Sequence, residues 1–206
     1  MKTKVCGMKN SQNIKEIINC QPDFIGFIFY EKSPRYAGEL DKEVLKNIPG
    51  NIKKIGVFVD ENVEKILNIA ARYQLDGIQL HGDETPGICK QIKANKLLCI
   101  KAFSIEQTSD FGKTAEYETV ADYFLFDTKT PVYGGSGKKF DWSLLNGYKG
   151  KTPFFLSGGI SIDDCEWIGK LSHNQLFGID INSRFEIEAG IKSVDLVGRF
   201  IRFFSV

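Results

Sequence analysis

Short β-type runs alternate with longer amphipathic segments along the whole of this 206-residue chain, and this alternation constrains the fold more than any other feature. Repeated βα units of this kind are typical of a parallel sheet covered by helices. The sequence predicts eight strands, and a helical segment follows nearly every one. The predicted strands cover residues 2–6, 23–29, 52–59, 77–80, 97–103, 122–127, 153–156 and 177–181.

The clearest predicted helix covers residues 62–73, where apolar side chains recur every three or four positions and Asp60 and Asn62 are candidate N-caps. A second, over residues 194–204, is expected to close the fold. Eight strands at this length favour a closed (β/α)8 barrel, formed as a single domain over residues 1–206. An open doubly wound sheet is the alternative, because the sequence alone does not show closure.

The charge balance excludes several classes of partner. Lys and Arg total 27 and Asp and Glu total 26, so the net charge is +1 and no global field attracts nucleic acid or an anionic membrane. No apolar run approaches the ~18 residues of a membrane span, and the N-terminal sequence MKTKVCGMKN has no apolar core of a signal peptide. We therefore expect a cytoplasmic protein that binds neither nucleic acid nor membrane.

Cysteine and histidine usage argues against disulfides and metals. The five cysteines are odd in number and widely spaced and include no CxxC pair, which favours a reducing compartment. The two histidines, His81 and His173, have no metal-site spacing, and His81 is predicted to be a hydrogen-bonded structural residue. No metal and no cofactor are expected.

Chemistry in such a barrel lies at the C-terminal ends of the strands, where Cys6 ends the first one. Gly7 follows it, and we expect this glycine to let a substrate approach the sulfur. Lys4 shares the face of Cys6 one layer deeper, and its ammonium group is expected to favour the thiolate. Asp180, on the neighbouring eighth strand, is the expected partner of Lys4. The alternative is an inert buried cysteine, which is the commonest use of this residue.

Asp127 ends the sixth strand and shares a face with Leu125, whereas Phe124 and Phe126 are expected to pack against helices. Most strand-end aspartates are N-caps or loop carboxylates, and that is the alternative here. An acid and a thiol at one barrel mouth are the minimum for an isomerase that needs no cofactor. The glycine-rich segment that follows, with Gly135 and Ser136, is expected to cover the bound ligand.

Two further turns are candidates for anion binding. Gly158 and Gly159 follow the seventh strand, and Asn182 and Ser183 follow the eighth. Loops at these two places frequently hold a phosphate in barrels, although a double glycine is also a common turn. Arg35, in the second loop, has the planar fork that suits a substrate carboxylate, whereas most loop arginines are only solvated.

Several motifs together resemble one family along nearly the whole chain. The sequence KVCG at residues 4–7, DFIGFIFYEKSPRY at 23–36, QLHGDE at 79–84, DTKTPVYGGSGKKFDW at 127–142 and LSGGI at 156–160 are similar to phosphoribosylanthranilate isomerases of tryptophan biosynthesis. The resemblance implies a TIM barrel that performs an Amadori rearrangement. N-(5-phosphoribosyl)anthranilate would become 1-(2-carboxyphenylamino)-1-deoxyribulose 5-phosphate.

The resemblance also implies residue roles. Cys6 matches the general base, Asp127 the general acid that opens the ribose ring, and Arg35 the contact to the anthranilate carboxylate. Gly158, Gly159, Asn182 and Ser183 match the phosphate site. An uncharged Asp127 requires a raised pKa, which a partly desolvated barrel mouth could supply.

The sequence after the eighth strand departs from the family pattern. Many members read roughly DVSSGVE there, whereas this chain reads DINSRFE at residues 180–186, so the individual phosphate donors are less well defined. Arg184 is either an added phosphate contact or a solvated side chain. A phosphorylated small molecule is the expected ligand, and the protein is expected to be a monomer or a homodimer.

Two other functions compete with this one. The first is a barrel isomerase of histidine biosynthesis, but those enzymes use paired aspartates, whereas here the first strand ends in Cys6. The second is a catalytically silent barrel that binds a phosphorylated ligand as a sensor or scaffold. Binding of a product analogue without isomerisation would favour it.

Overall fold

A closed barrel of eight parallel strands forms the centre of the computed structural model, which describes residues 1–128 and 142–205. Neighbouring strands pair in chain order, and the eighth pairs with the first from Lys2↔Gly178 to Val5↔Ile181. Closure confirms the (β/α)8 prediction and excludes the open sheet. The strands are β1 (Lys2–Val5), β2 (Phe24–Ile28), β3 (Lys53–Phe58), β4 (Gly77–Leu80), β5 (Leu98–Ile105), β6 (Tyr123–Thr128), β7 (Phe154–Leu156) and β8 (Leu176–Ile181).

Helices cover the outside of the barrel. The two predicted at 62–73 and 194–204 are confirmed, and Asn62 caps the first by accepting a hydrogen bond from the Glu64 backbone at 2.8 Å. The α-helices are α1 (Ser11–Ile18), α2 (Lys42–Lys46), α3 (Val63–Tyr73), α4 (Pro86–Ala94), α5 (Cys165–Gly169) and α6 (Val194–Phe204). Tighter 3-10 helices cover Thr108–Tyr117, Trp142–Gly147, Ile162–Asp164 and Ser183–Phe185.

The connection between β8 and α6 contains a small antiparallel hairpin that the sequence did not predict. Its strands are β9 (Glu186–Glu188) and β10 (Ile191–Lys192), and Gly190 turns the chain between them with a φ of 86°. Lys192 pairs directly with Glu186 across the hairpin. Two strands this short carry no readable alternation of apolar and polar residues, which is why the pattern did not reveal them.

Alternation along the barrel strands separates two apolar layers. Phe124 and Phe126 lie in the large cluster between the strands and the helices, whereas Leu125 lies in a smaller cluster inside the barrel. This confirms the predicted facing of β6. Phe24 and Phe155, also inside the barrel, pack edge to face with their ring centroids 5.2 Å apart. The apolar plug they form below the polar mouth supports the residues of the site.

Within the residues that the structure describes, no helix is both long and apolar enough to cross a membrane.

Candidate active site

A cavity opens at the C-terminal ends of the barrel strands. It is lined by both predicted acid–base candidates, Cys6 after β1 and Asp127 near the end of β6, and by both predicted anion-binding turns. Gln79 of β4, His81 directly after β4 and Ser157 directly after β7 also line its wall. The predicted site residues that line it are Cys6, Asp127, Gly158, Gly159, Asn182 and Ser183.

Cys6 is held rigidly, with its backbone N–H bonded to the Ile181 carbonyl at 2.9 Å. Gly7 has a φ of 77°, and a Cβ on it would lie 2.7 Å from Asn182 Oδ1 and 2.9 Å from Arg35 Cδ. The space beside Gly7 is therefore filled by these two side chains, and not reserved for a substrate as expected. Gly26 on β2 gives the thiol its room instead, because a Cβ there would lie 2.8 Å from the sulfur.

The predicted ion pair between Lys4 and Asp180 is confirmed. Lys4 Nζ lies 2.7 Å from Asp180 Oδ1, and the two side chains are 0% and 6% exposed. Ser157 Oγ donates to the other carboxylate oxygen at 3.3 Å. Burial alone would lower the pKa of Lys4, but the charges of Asp180 and of ionised Cys6 outweigh it and raise this pKa above its ordinary value of 10.5.

The prediction that the ammonium group of Lys4 favours the thiolate form of Cys6 is only partly right. Burial raises the pKa of Cys6, the charges of Lys4 and Lys192 lower it, and Asp180 raises it again. Burial prevails, so the pKa of Cys6 lies above its ordinary value of 9.0. The sequence identified the ammonium group correctly but could not give the desolvation that outweighs it. In the unliganded protein at neutral pH, Cys6 is a thiol.

Replacing Lys4 with methionine is expected to raise the pKa of Cys6 further and to destabilise the fold by about 3–5 kcal/mol, because Asp180 is left as an unpaired buried charge. The folded-state pKa of Lys4 lies above 10.5, so its stabilisation is fully present below that pH and is lost as pH rises through the folded value. Thiol alkylation rates against pH and urea unfolding measure the two effects.

The matched control is the double variant Lys4→Met with Asp180→Asn, which removes both charges and should recover most of the lost stability. An unchanged thiol pKa together with unchanged stability in Lys4→Met would contradict the assigned interaction.

Asp127 faces a histidine that the sequence analysis did not connect with it. His81 Nε2 lies 3.6 Å from Asp127 Oδ2, and both side chains are about one-quarter exposed, at 25% and 28%. On the other side of the imidazole ring, Gln79 Nε2 lies 2.8 Å from His81 Nδ1. Burial lowers the pKa of His81 to about 4, helped by the positive charges of Lys101 and Lys4, so the ring is neutral at pH 7. The prediction of a hydrogen-bonded His81 is confirmed.

The two glycines after β7 both adopt conformations that other residues avoid. Their φ values are 94° at Gly158 and 66° at Gly159. The second turn, at Asn182 and Ser183, leads into a short 3-10 helix. Asn182 Oδ1 accepts a hydrogen bond of 2.6 Å from Lys192 Nζ, so this side-chain oxygen is engaged within the protein. Arg184, in the same turn, is exposed.

Arg35 does not line the cavity wall but lies beside Gly7, buried and ion-paired. Its Nε donates to both carboxylate oxygens of Glu186, at 2.9 and 3.0 Å, and its Nη2 donates to one of them at 2.7 Å. Sequence reasoning missed Glu186 and Lys192, because the hairpin that carries them was not predicted. Gly135 and Ser136, expected to cover the ligand, lie outside the described residues.

Within residues 1–128 and 142–205, no group of three or more His, Cys, Asp and Glu side chains is placed to hold a metal ion. The five cysteines are free thiols. The absence of a metal or cofactor requirement stays a prediction.

Comparison with known proteins identifies the family. The family model for N-(5'phosphoribosyl)anthranilate (PRA) isomerase matches residues 3–202. A curated N-(5'-phosphoribosyl)anthranilate isomerase of Parabacteroides distasonis is 48% identical over 201 residues, covering 97% of this chain and 91% of that protein.

Solved structures agree with the family model. A crystal structure of phosphoribosyl anthranilate isomerase in complex with reduced 1-(o-carboxyphenylamino)-1-deoxyribulose 5-phosphate superposes with a TM-score of 0.82 at 30% identity, covering 100% of this chain and 98% of that one. Monomers generated from the dimeric isomerase of Thermotoga maritima match with the same TM-score of 0.82, the same 30% identity, and 100% and 98% coverage. The chain belongs to the N-(5'-phosphoribosyl)anthranilate isomerase family.

Proposed function

We propose that this protein catalyses the Amadori rearrangement of N-(5-phosphoribosyl)anthranilate to 1-(2-carboxyphenylamino)-1-deoxyribulose 5-phosphate in tryptophan biosynthesis, without a cofactor. The observation that carries the proposal is the shared cavity of Cys6 and Asp127, which also contains two glycine or hydroxyl-bearing turns suited to a phosphate. Family membership supplies the substrate. The cavity supplies an acid, a thiol and anion-binding backbone in one place.

Asp127 acts first, as the general acid. It donates a proton to the ring oxygen of the ribose while the C1′–O bond breaks and the anthranilate nitrogen forms a C=N bond to C1′. Neutral His81 beside it does not compete for that role, because its pKa is about 4. The product of this step is an open-chain protonated Schiff base, because the nitrogen keeps its own proton.

Cys6 acts second, as the general base. Its thiolate removes the proton from C2′, and the electron pair moves towards the C=N bond to give an enolamine, which tautomerises to the ketone. The charges of Lys4 and Lys192 stabilise the thiolate against burial. Protons are only relocated, so no oxidant, reductant or further reactant is needed.

The remaining residues hold the two charged ends of the substrate. Gly158, Gly159, Asn182 and Ser183 bind the phosphate, chiefly through backbone N–H groups, and Arg35 binds the anthranilate carboxylate. We further propose that residues 1–206 form one domain, present in the cytoplasm as a monomer or homodimer.

The direct test generates phosphoribosylanthranilate in situ from anthranilate and follows the loss of its fluorescence on adding the purified protein. We expect loss of substrate with formation of the ketone product and no dependence on added metal or cofactor. Binding of the reduced product analogue without any isomerisation would instead establish a silent ligand-binding barrel and overturn the proposal.

A further inference from the structure

A buried pair of opposite charges lies on the hairpin after β8, next to the site. We call Glu186 and Lys192 the hairpin pair. Lys192 Nζ lies 2.6 Å from Glu186 Oε1, and the two side chains are 0% and 5% exposed, in that order. Neither residue donates or accepts a proton in the acid–base steps described above, although the charge of Lys192 lowers the pKa of Cys6, and burying two charges is costly.

The backbone under the hairpin pair is fixed from two sides. Asn13 of α1 clamps Lys192, because its amide group donates to the Lys192 carbonyl at 2.9 Å and its oxygen accepts from the Lys192 N–H at 2.7 Å. Cross-strand register places Glu186 opposite Lys192, and the Gly190 N–H also donates to Glu186 Oε1 at 3.0 Å. Both side chains are therefore held before any ligand binds.

Arg35 helps to keep the carboxylate of the hairpin pair ionised. Burial alone would raise the pKa of Glu186, but hydrogen bonds from Arg35 and the charge of Lys192 bring it below its ordinary value. Burial lowers the pKa of Lys192 to about 8, although Glu186 opposes this effect. Glu186 is thus an ionised carboxylate that binds two cations at once.

The contacts with Glu186 also determine which N–H donors of Arg35 remain available to bind a ligand. Glu186 occupies the side of the guanidinium group formed by Nε and Nη2. In the hydrogen bonds of the described residues, Nη1 of Arg35 takes no part, so the end formed by Nη1 and Nη2 keeps donors for a second carboxylate. Lys192 meanwhile donates to Asn182, at the start of the predicted phosphate turn.

We propose that Glu186 and Lys192 are positioning residues that fix the guanidinium group of Arg35 so that its free end receives the carboxylate of the substrate. Glu186 orients Arg35 directly, and Lys192 keeps Glu186 charged and in place. This inference rests on the proposed function, because it uses the carboxylate of that substrate. It adds two residues outside the cavity wall to the determinants of substrate recognition.

The barrel contains a second buried ion pair, which serves as a control for the hairpin pair. Lys101 and Glu84 are also buried, with side chains 3% and 1% exposed and 3.2 Å between Nζ and Oε2. Lys101 otherwise bonds to backbone carbonyls, including that of Gly82 at 2.7 Å, and Glu84 accepts from backbone N–H groups. Among the contacts of the described residues, this pair has none to an arginine, so its removal reproduces the loss of a buried ion pair without the proposed link to the substrate.

The test compares two charge-balanced double variants with the unmodified protein: Glu186→Gln with Lys192→Met, and Glu84→Gln with Lys101→Met. The ligands are the reduced product analogue and the same compound made from aniline, which lacks the carboxylate. We expect the hairpin variant to bind the carboxylate ligand about tenfold more weakly, as for loss of one charged hydrogen bond, and the aniline ligand less than about twofold more weakly. The control variant should not discriminate between the ligands.

Equal loss of affinity for both ligands in the hairpin variant would show a merely structural role and overturn the inference. An unmodified protein that neither binds the analogue nor isomerises the substrate would instead refute the proposed function itself. If the hairpin variant does not fold, as judged by urea unfolding, Glu186→Asp keeps both charges but withdraws the carboxylate, and it should show the same ligand selectivity. Absence of that selectivity in folded Glu186→Asp would also overturn the inference.

Discussion

Replacing Cys6 with alanine is expected to lower turnover by about 10²–10⁴-fold while leaving the protein folded. Cys6 is 3% exposed and its thiol is hydrogen-bonded with Lys4, so its removal leaves a small space but no unpaired ion, because Lys4 keeps Asp180 as its partner. Affinity for the reduced product analogue should change little, because that ligand needs no proton transfer. The turnover number from the fluorescence assay and the dissociation constant of the analogue measure the two expectations.

The ionisation of the Cys6 thiol provides a second test of its role. Because burial raises its pKa above 9.0, the thiolate is a minor form at neutral pH, and its fraction increases about tenfold per pH unit below that pKa. The rate of alkylation of the Cys6 thiol should therefore increase with rising pH in this range, whereas kcat/KM also depends on the protonated fraction of Asp127, which falls as pH rises. Cys6→Ser is the matched control, since its hydroxyl is of similar size but does not ionise there, and it should lose the slope. Near-normal turnover in folded Cys6→Ala would refute the assigned role.

Much of the site was predictable because barrel geometry converts sequence position into spatial position. Lys4 and Cys6 are two residues apart and therefore share a face, and closure brings Asp180 of β8 beside Lys4 of β1. The same alternation correctly placed Leu125 inside the barrel and Phe124 and Phe126 outside it. For these residues, strand periodicity and strand count were sufficient to predict their positions in the barrel.

The features of the site that the sequence did not predict share a different physical cause. The pKa of Cys6 depends on how completely the thiol is desolvated, and desolvation is a property of packing and not of spacing. The space beside Gly7 is filled by Arg35 and Asn182, which come from distant parts of the chain. Glu186 was hidden in a hairpin too short to produce a pattern. Each of these features depends on contacts between loops, which no local periodicity describes.

One missed relation could have been found in part. Gln79 and His81 stand two residues apart on β4 and directly after it, so alternation places both side chains at the barrel mouth, as it does Asp127 on β6. The position of His81 directly after its strand places it at the same mouth as Asp127, but β5 separates β4 from β6, so alternation alone does not make the two residues neighbours. Residues outside the barrel strands, such as Glu186, cannot be placed by this argument.

Replacing Asp127 with asparagine is expected to lower turnover by about 10²–10⁴-fold, because the amide keeps the size of the side chain but cannot donate the acid's proton to the ring oxygen. Asp127 is only partly buried, at 28% exposure, so the substitution should have little effect on the free energy of unfolding. His81 does not replace it at neutral pH, since its ring is already deprotonated. Turnover and urea unfolding measure the two expectations.

A substrate carrying deuterium at C2′ separates the roles of the two residues. Cys6 breaks the C2′–H bond, so Cys6→Ser makes that step rate-limiting and should show a full primary isotope effect. Asp127→Asn slows the earlier ring opening, which breaks no bond to this deuterium, and its isotope effect should fall towards one. The same large isotope effect in both variants would mean that Asp127 does not act at ring opening, and its assignment as the general acid would be wrong. Opposite behaviour of the two variants is what an acid and a base acting in sequence require.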